Sequence, residues 1–316
     1  MKPFLPMLYG IMASFFFSFS FIMNRSMELS GGYWVWSASL RYLFMFPILL
    51  LIVWIRGNLR ALLFDMRKQL GVWMGWSMVG FGLFYVPLCF SAAYGPGWLI
   101  AATWQVTIIA GSLIAPLFSK VIVTKGGPIR IKEKTPLRGL LISLIILFGV
   151  IVIQTDHDGH LSIKDALLGV VPVLLAAFAY PLGNRKMMEI CGERLDTYQR
   201  VLGMTLASLP LWILLSLCAL VHAGVPSAGQ IGQSALVAVC SGVVATVLFF
   251  KATEMVKRSA HQLAAVEATQ AGEIIFTVIG ELVILDAAFP SSLSWTGIIC
   301  VVTGMIVHSL MSKEGK

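Results

Sequence analysis

The chain has 316 residues, of which 58% are hydrophobic and only 12% are charged. This composition excludes an ordinary soluble domain, and the recurrent long apolar runs predict a multi-pass membrane protein surrounded by lipid. The net charge of +8 does not indicate a nucleic-acid partner, because nearly all of the basic residues flank apolar runs.

Ten stretches are long and apolar enough to be membrane-spanning helices, since a bilayer core of about 30 Å takes about 20 helical residues. The first is read as a helix rather than a secretion signal, because it is too long and lacks a convincing cleavage site. The predicted spans cover residues 5–24, 33–55, 71–92, 98–119, 138–154, 165–184, 197–221, 231–253, 263–285 and 293–311. Ten spans place both termini on the same side.

Basic residues lie almost entirely on one side of these spans. The exceptions are Arg25 and Lys164 in the opposite loops and Arg41 within span two. The positive-inside rule therefore predicts that both termini are cytoplasmic.

The two halves of the chain resemble each other. The motif NRSM at 24–27 is followed 160 residues later by NRKM at 184–187, and ATWQ at 102–105 has a counterpart in EATQ at 267–270. Since each half holds five spans, the second must insert upside down. We therefore predict an all-α fold of two inverted five-helix repeats, residues 1–155 and 164–312, an arrangement typical of transporters.

Span nine carries three carboxylates, Glu267, Glu273 and Glu281. At about 100° per residue they share one arc of about 120° with Gln270 and Thr277. A charged group in a bilayer core is costly, so this face must meet water, substrate or polar partners.

Glu273 is the main candidate for proton coupling, because it lies about 15 Å along its span and thus near the midplane. Glu267 is a second candidate, nearer the cytoplasmic end. Desolvation favours the neutral form of a carboxylic acid, whereas a nearby cation favours the charged form. An ion pair of Glu273 or Glu281 with Arg41 is therefore the competing interpretation, since such a pair would not titrate usefully.

Aromatic and amide side chains near the midplane are candidates for a substrate cavity, because rings can stack on flat or cationic organic molecules. The alternative for each aromatic residue is a position in the interfacial belt or facing lipid. The candidates are Trp104, Gln105, Gln270, Tyr85, Tyr180, Asn24 and Ser112.

No catalytic residue, cofactor or metal site is expected. The segment 156–160, DHDGH, has metal-ligand residue types but no second cluster, and we read it as a solvated outer loop. Nucleophile, zinc and phosphate-loop motifs are absent from the sequence, so we do not expect an enzyme.

Several stretches carry a family resemblance: SFSFIMNRSM at the end of span one, FYVPLCFSAAYGPGWLIAATWQ across spans three and four, and IGELVIL followed by TGIICVVTGMIV near the end. With Gly280-Glu281 as its most specific signature, the pattern resembles the ten-helix EamA-like branch of the drug/metabolite transporter superfamily. The multidrug-resistance efflux group is the most similar. The first half departs from the pattern, with Ala115-Pro116 where the repeat would place a Gly-Glu pair.

The resemblance implies a secondary active transporter, and we expect an exporter of drugs or metabolites that is driven by protons through alternating access. A metabolite or nucleotide-sugar-type exchanger is the first alternative. It would need several cations lining the cavity, and only Arg41 is deeply placed in the sequence. A non-transporting receptor or assembly factor is the alternative from another class. We expect a plasma-membrane protein, in bacteria the inner or cytoplasmic membrane, that works as a monomer, with a dimer left open.

Overall fold

The computed structural model describes residues 4–124, 127–132, 137–155, 163–256 and 260–311. The segment 156–160, interpreted above as a solvated loop, lies outside the described residues.

The first half of the chain is a series of helices interrupted by one short hairpin. Its elements are α1 (Phe4–Leu29), α2 (Trp34–Ile55), α3 (Leu59–Lys68), α4 (Leu70–Ser77), α5 (Leu83–Ser91), α6 (Gly97–Trp104), α7 (Val106–Ile114), β1 (Ser119–Thr124), β2 (Gly127–Lys132) and α8 (Leu137–Thr155).

The regular elements described in the second half are all helices. Its elements are α9 (Ile163–Cys191), α10 (Thr197–Ala223), α11 (Ala228–Val237), α12 (Thr246–Val256), α13 (Ala260–Ala268), α14 (Gly272–Ile284) and α15 (Ser292–Met311).

Seven helical stretches of the described chain are long and apolar enough to cross a membrane. They are Phe4–Leu29, Trp34–Ile55, Leu70–Ser91, Gly97–Leu117, Leu167–Cys191, Thr197–Ala223 and Ala228–Val256. The other three predicted spans coincide with α8, with α13 and α14 together, and with α15, whose apolar segments are shorter or broken. The structure thus shows a helical, multi-pass architecture and leaves the number of ten spans as a prediction.

The expectation of a purely helical chain is wrong at one place. Strands β1 and β2 form an antiparallel hairpin in which Ser119 pairs with Lys132 and Thr124 with Gly127. The segment 121–123 is Val-Ile-Val, and β-branched residues favour extended backbone. Most of this stretch lies between predicted spans four and five, where no strand was expected.

Four of the helical stretches contain irregular backbone near their middle. A π-helical segment, Met78–Gly82, joins α4 to α5, and a second, Ala238–Ala245, joins α11 to α12. Helix α6 is broken from α7 at Gln105, and a 3₁₀ turn, Thr269–Ala271, separates α13 from α14. Inside a membrane protein such irregularities are tolerated where the backbone lines a cavity or is buried in protein.

Close helix crossings rely on small residues and on stacked rings. A Cβ on Gly149 would lie 2.7 Å from the carbonyl oxygen of Gly297, so α8 and α15 touch through their backbones. Helices α2 and α10 meet where Tyr42 stacks on Trp212 with ring centroids 4.2 Å apart. Small residues such as Gly149 and Gly297 let membrane helices approach closely, which strengthens their van der Waals contacts.

The remaining packing surrounds the broken helices. Helix α1 contacts α12 and α14, α9 contacts α5, α6 and α7, and α6 contacts α14. The irregular segments are packed against other helices as well: Met78–Gly82 contacts α9, Ala238–Ala245 contacts α1 and α2, and Thr269–Ala271 contacts α1.

Candidate functional site

Two cavities lie among the broken helices. The larger has a volume of about 90 Å³. Its lining consists of Thr107, Ile108, Gly111, Tyr180, Pro181, Asn184, Arg185, Met188, Arg200, Phe249, Phe250, Thr253, Leu263, Glu267 and Gln270. The smaller, of about 20 Å³, is lined by Phe17, Ser20, Phe21, Phe84, Leu88, Trp104, Tyr180, Ser241, Gln270 and Glu273. Tyr180 and Gln270 line both and so form a shared wall.

Glu273 lies in the wall of the smaller cavity. It is in the first turn of α14, directly after the 3₁₀ turn, and is only 1% exposed. Its Oε2 atom has no hydrogen-bond partner. A buried carboxyl oxygen without a partner is costly, so the group is suited to take up a proton or a ligand donor.

The structure does not contain the alternative ion pair between Arg41 and a carboxylate of α14. Arg41 is buried, donates from Nη2 to Ser241 Oγ over 3.1 Å, and lies over the ring of Tyr85 at 4.0 Å from its centroid. None of the ion pairs among the described residues joins Arg41 to Glu273 or Glu281. Hydroxyl and ring partners hold this guanidinium instead.

Glu281 binds backbone amides at the start of another helix. Its Oε1 accepts from the Gly97 N–H over 2.7 Å, and its Oε2 accepts from the Trp98 N–H over 3.3 Å. The first N–H groups of a helix have no partner within it and carry partial positive charge. The carboxylate of Glu281 therefore anchors the N-terminus of α6 to α14.

Glu267 pairs with a cation that the sequence analysis did not assign to the site. Arg185 Nη2 lies 3.3 Å from Glu267 Oε1, and Arg185 Nη1 donates to the Gly111 carbonyl oxygen over 2.9 Å. Both side chains line the larger cavity. This pair connects α9 to α13 across the cavity.

Three of the seven predicted cavity residues line a cavity in the structure. Tyr180 and Gln270 line both cavities, and Trp104 lines the smaller one. The other four line neither. Gln105 donates to the Ala101 and Gln270 carbonyl oxygens, so it joins the breaks in the two helices. Asn24 and Tyr85 bond each other, and Ser112 is half-buried.

Arg200 is a buried cation that the sequence analysis missed. The expectation that only Arg41 is deeply placed is therefore wrong. Arg200 lies in the first turn of α10, is 3% exposed and lines the larger cavity. Predicted span six ends at Asn184, but α9 continues to Cys191, and Asn184 and Arg185 both line the cavity. The repeated Asn-Arg motif was the signal that pointed to them.

Comparison with known proteins identifies the family. Residues 4–314 match the family model described as "EmrE: Putative multidrug resistance efflux transporter". The chain belongs to this family. The resemblance noted in the sequence is thereby confirmed, and the EmrE-family chain is a multi-pass membrane protein of a transporter family.

Two bacterial proteins are similar over most of this EmrE-family chain. YjlA of Bacillus subtilis (strain 168) is 55% identical over 307 residues, which cover 97% of this chain and 95% of that protein. A 42.1 kDa protein of Shouchella clausii is 48% identical over 267 residues, covering 84% and 69% of the two chains. A solved crystal structure, 13% identical, superimposes with a TM-score of 0.67 over 98% of this chain and 97% of that chain, which shows a shared fold.

Proposed function

We propose that the protein is a secondary active transporter that exports small organic molecules from the cytoplasm and is driven by protons. Ten spans in two inverted repeats, with both termini cytoplasmic and the protein in the plasma membrane, would alternate access to the cavities. The family membership supports transport in general. The coupling, the direction and the substrate are our proposal.

The position of Glu273 is the observation that carries the proposal. It places a carboxyl group with an unpartnered oxygen in the wall of a small cavity, and that cavity shares Tyr180 and Gln270 with the larger one. Protonation and substrate binding could therefore influence each other through the shared wall. Such coupling between neighbouring sites is a simple basis for exchanging protons for substrate.

Matching irregularities in the two halves support the repeat. The π-helical segments begin at Met78 and Ala238, which are 160 residues apart, as are the two Asn-Arg motifs. The two helix breaks, at Gln105 and at Thr269–Ala271, fall on the repeated Thr-x-Gln and Thr-Gln motifs of predicted spans four and nine. Inverted repeats with broken helices around a midplane site are typical of secondary transporters.

The test uses purified protein in liposomes with an imposed pH gradient. Transport of ethidium, labelled amino acids and labelled 3-phenylpropionate would be followed with pyranine as the reporter of proton movement. We expect gradient-driven transport of at least one of these compounds, and its loss in Glu273→Gln. Glu193→Gln, the same substitution at an exposed glutamate, is the control and should transport normally. Full gradient-driven transport by Glu273→Gln would refute the coupling role.

A metabolite exchanger is the second candidate, because two arginines line the larger cavity. An exchanger would take up labelled substrate only when unlabelled substrate is present inside the liposome, with no need of a pH gradient. A proton-driven exporter would accumulate substrate without internal substrate. Measuring counterflow with and without the gradient separates the two.

A further inference from the structure

Three buried polar atoms in the wall of the larger cavity have no hydrogen-bond partner. They are Arg200 Nε, the Tyr180 hydroxyl oxygen and Asn184 Oδ1. Two of these groups can donate a hydrogen bond, and one of the two belongs to a guanidinium. Unpartnered buried polar groups are uncommon in folded proteins, and three on one cavity indicate a ligand that completes them.

Other polar groups of the same wall are already engaged. The Thr107 hydroxyl donates to the Ala177 carbonyl oxygen over 3.1 Å, and the Thr253 hydroxyl donates to carbonyl oxygens of its own helix. Arg185 is bonded to Glu267 and to the Gly111 carbonyl oxygen. The groups left for a ligand are therefore centred on Arg200 and Tyr180.

The charge around Arg200 is partly balanced from outside the cavity. Glu254 interacts electrostatically with Arg200, and its Oε2 accepts a hydrogen bond from Thr197 over 2.5 Å. Glu254 is not one of the lining residues, whereas Arg200 is. Glu267, the carboxylate that does line the cavity, is held by Arg185. A cationic ligand would thus meet two arginines and no unpaired lining carboxylate in this cavity.

The rest of the wall is apolar and aromatic. Phe249, Phe250, Ile108 and Met188 line it, and the Arg200 guanidinium carbon lies 5.1 Å from the centre of the Phe250 ring. An apolar body packed against these rings would lie beside the guanidinium. The combination of one cationic donor, one hydroxyl and aromatic walls suits an amphipathic anion.

We propose that this cavity binds a small organic carboxylate with an apolar body, whose carboxylate lies at Arg200 Nε and the Tyr180 hydroxyl. This names a substrate class for the transporter proposed above and rests on that function. Asn184 Oδ1 is left to accept from a donor group on the ligand, so a carboxylate with an amino or hydroxyl group would satisfy all three atoms.

The experiment measures binding, with no gradient, to the full chain in lipid nanodiscs. Titration calorimetry would compare 3-phenylpropionate with 3-phenylpropylammonium, which share a phenyl ring and differ in charge. We expect saturable binding of the anion and at least about tenfold weaker binding of the cation. Equal binding of the two, or preference for the cation, would overturn the proposal.

Variants locate the site. Arg200→Gln should weaken binding of 3-phenylpropionate by about tenfold or more, since it removes a charge-assisted hydrogen bond. Tyr180→Phe should weaken binding by a smaller factor, because it removes only the hydroxyl. Since it retains the aromatic ring, it tests the site even if Arg200→Gln does not fold. Arg194→Gln removes an exposed arginine and should bind as the unaltered protein does. Unchanged binding in a folded Arg200→Gln protein would contradict the assignment.

The two proposals fail in different ways. Binding of 3-phenylpropionate without any gradient-driven transport would leave the carboxylate site in place and refute the transport mechanism. Proton-driven transport of ethidium with no carboxylate binding would leave the transport mechanism in place and refute the carboxylate site.

Discussion

The three carboxylates of predicted span nine occupy three different environments. Glu281 accepts from two backbone N–H groups, Glu267 is paired with Arg185, and Glu273 keeps an unpartnered oxygen. Of the three, Glu273 is the one with a buried carboxyl oxygen that lacks a hydrogen-bond partner. The helical wheel predicts that the three glutamates share a polar face. Their different partners in the structure distinguish the role of each one.

Removing the Glu281 carboxylate is expected to destabilise the protein. Glu281→Ala leaves the Gly97 and Trp98 N–H groups buried without their acceptor, at a cost of about 1–3 kcal/mol. Thermal unfolding in detergent should show a lower Tm than the unaltered chain. Glu193→Ala, which truncates an exposed glutamate, is the control and should have the same Tm as the unaltered chain. An unchanged Tm in Glu281→Ala would show that water replaces the carboxylate without loss.

The sequence predicts that Glu273 lies near the midplane, and that depth stays a prediction. The structure shows that its side chain is buried within the bundle. Arg200 was missed because it lies at the start of a helix among basic loop residues, and positive charge near a span end is normally a topology signal. Only the tertiary structure shows that α10 carries it into the bundle.

The broken helices set the geometry of the site. Glu273 is the second residue after the 3₁₀ turn, and Gln105 occupies the break between α6 and α7 while donating to the Gln270 carbonyl oxygen. A continuous helix would direct these groups along one uniform face. At the breaks, the Gln105 side chain of one predicted repeat instead bonds a backbone carbonyl oxygen of the other, which links the two repeats.

Helix α9 crosses the π-helical segment Met78–Gly82 closely at Gly183. We expect that a methyl group added at Gly183 would not fit there. A Cβ on Gly183 would collide with the backbone of Gly80 and lie 3.0 Å from the Trp76 carbonyl oxygen. Since neither obstacle is a flexible side chain, Gly183→Ala should destabilise the protein by about 1–3 kcal/mol. Unfolding in detergent would measure the change.

Gly75 provides the matched control for that crossing. It is also helical, but a Cβ there would meet nothing within 4 Å. Gly75→Ala should leave the Tm unchanged or raise it slightly, because alanine restricts the unfolded chain. Equal effects of the two alanine substitutions would show that the crossing opens easily.

Element positions were largely predictable because apolar runs of bilayer length have few alternatives. Predicted spans two and seven begin and end within two residues of α2 and α10. The amphipathic helix α3 was not predicted, because it has only ten residues and several of them are charged. The π-helical segments were also missed, because their residues follow the same apolar pattern as the helices around them.

At the scale of the whole molecule, the distribution of basic residues predicts the orientation of the chain in the membrane. We expect a green fluorescent protein fused after Lys316 to fluoresce and alkaline phosphatase fused there to be inactive, because both report a cytoplasmic C-terminus. Fusing the same reporters within the predicted outer loop at 156–162 should reverse both signals. Phosphatase activity at the C-terminus would invert the orientation proposed for the transporter.

The bond between Glu281 and the start of α6 has a consequence for the resting state of the proposed transport cycle. In the predicted orientation it lies at the outer end of the bundle, opposite the arginine-lined cavity. Hydrogen bonds to a charged group are worth about 1.5–3 kcal/mol each, and 1.4 kcal/mol changes a population tenfold. Parting α6 from α14 would break two of them, so a conformation open to the outside would be rare in the empty protein. In the proposed cycle, substrate or proton binding would then supply the missing free energy, and the empty transporter would rest open to the cytoplasm.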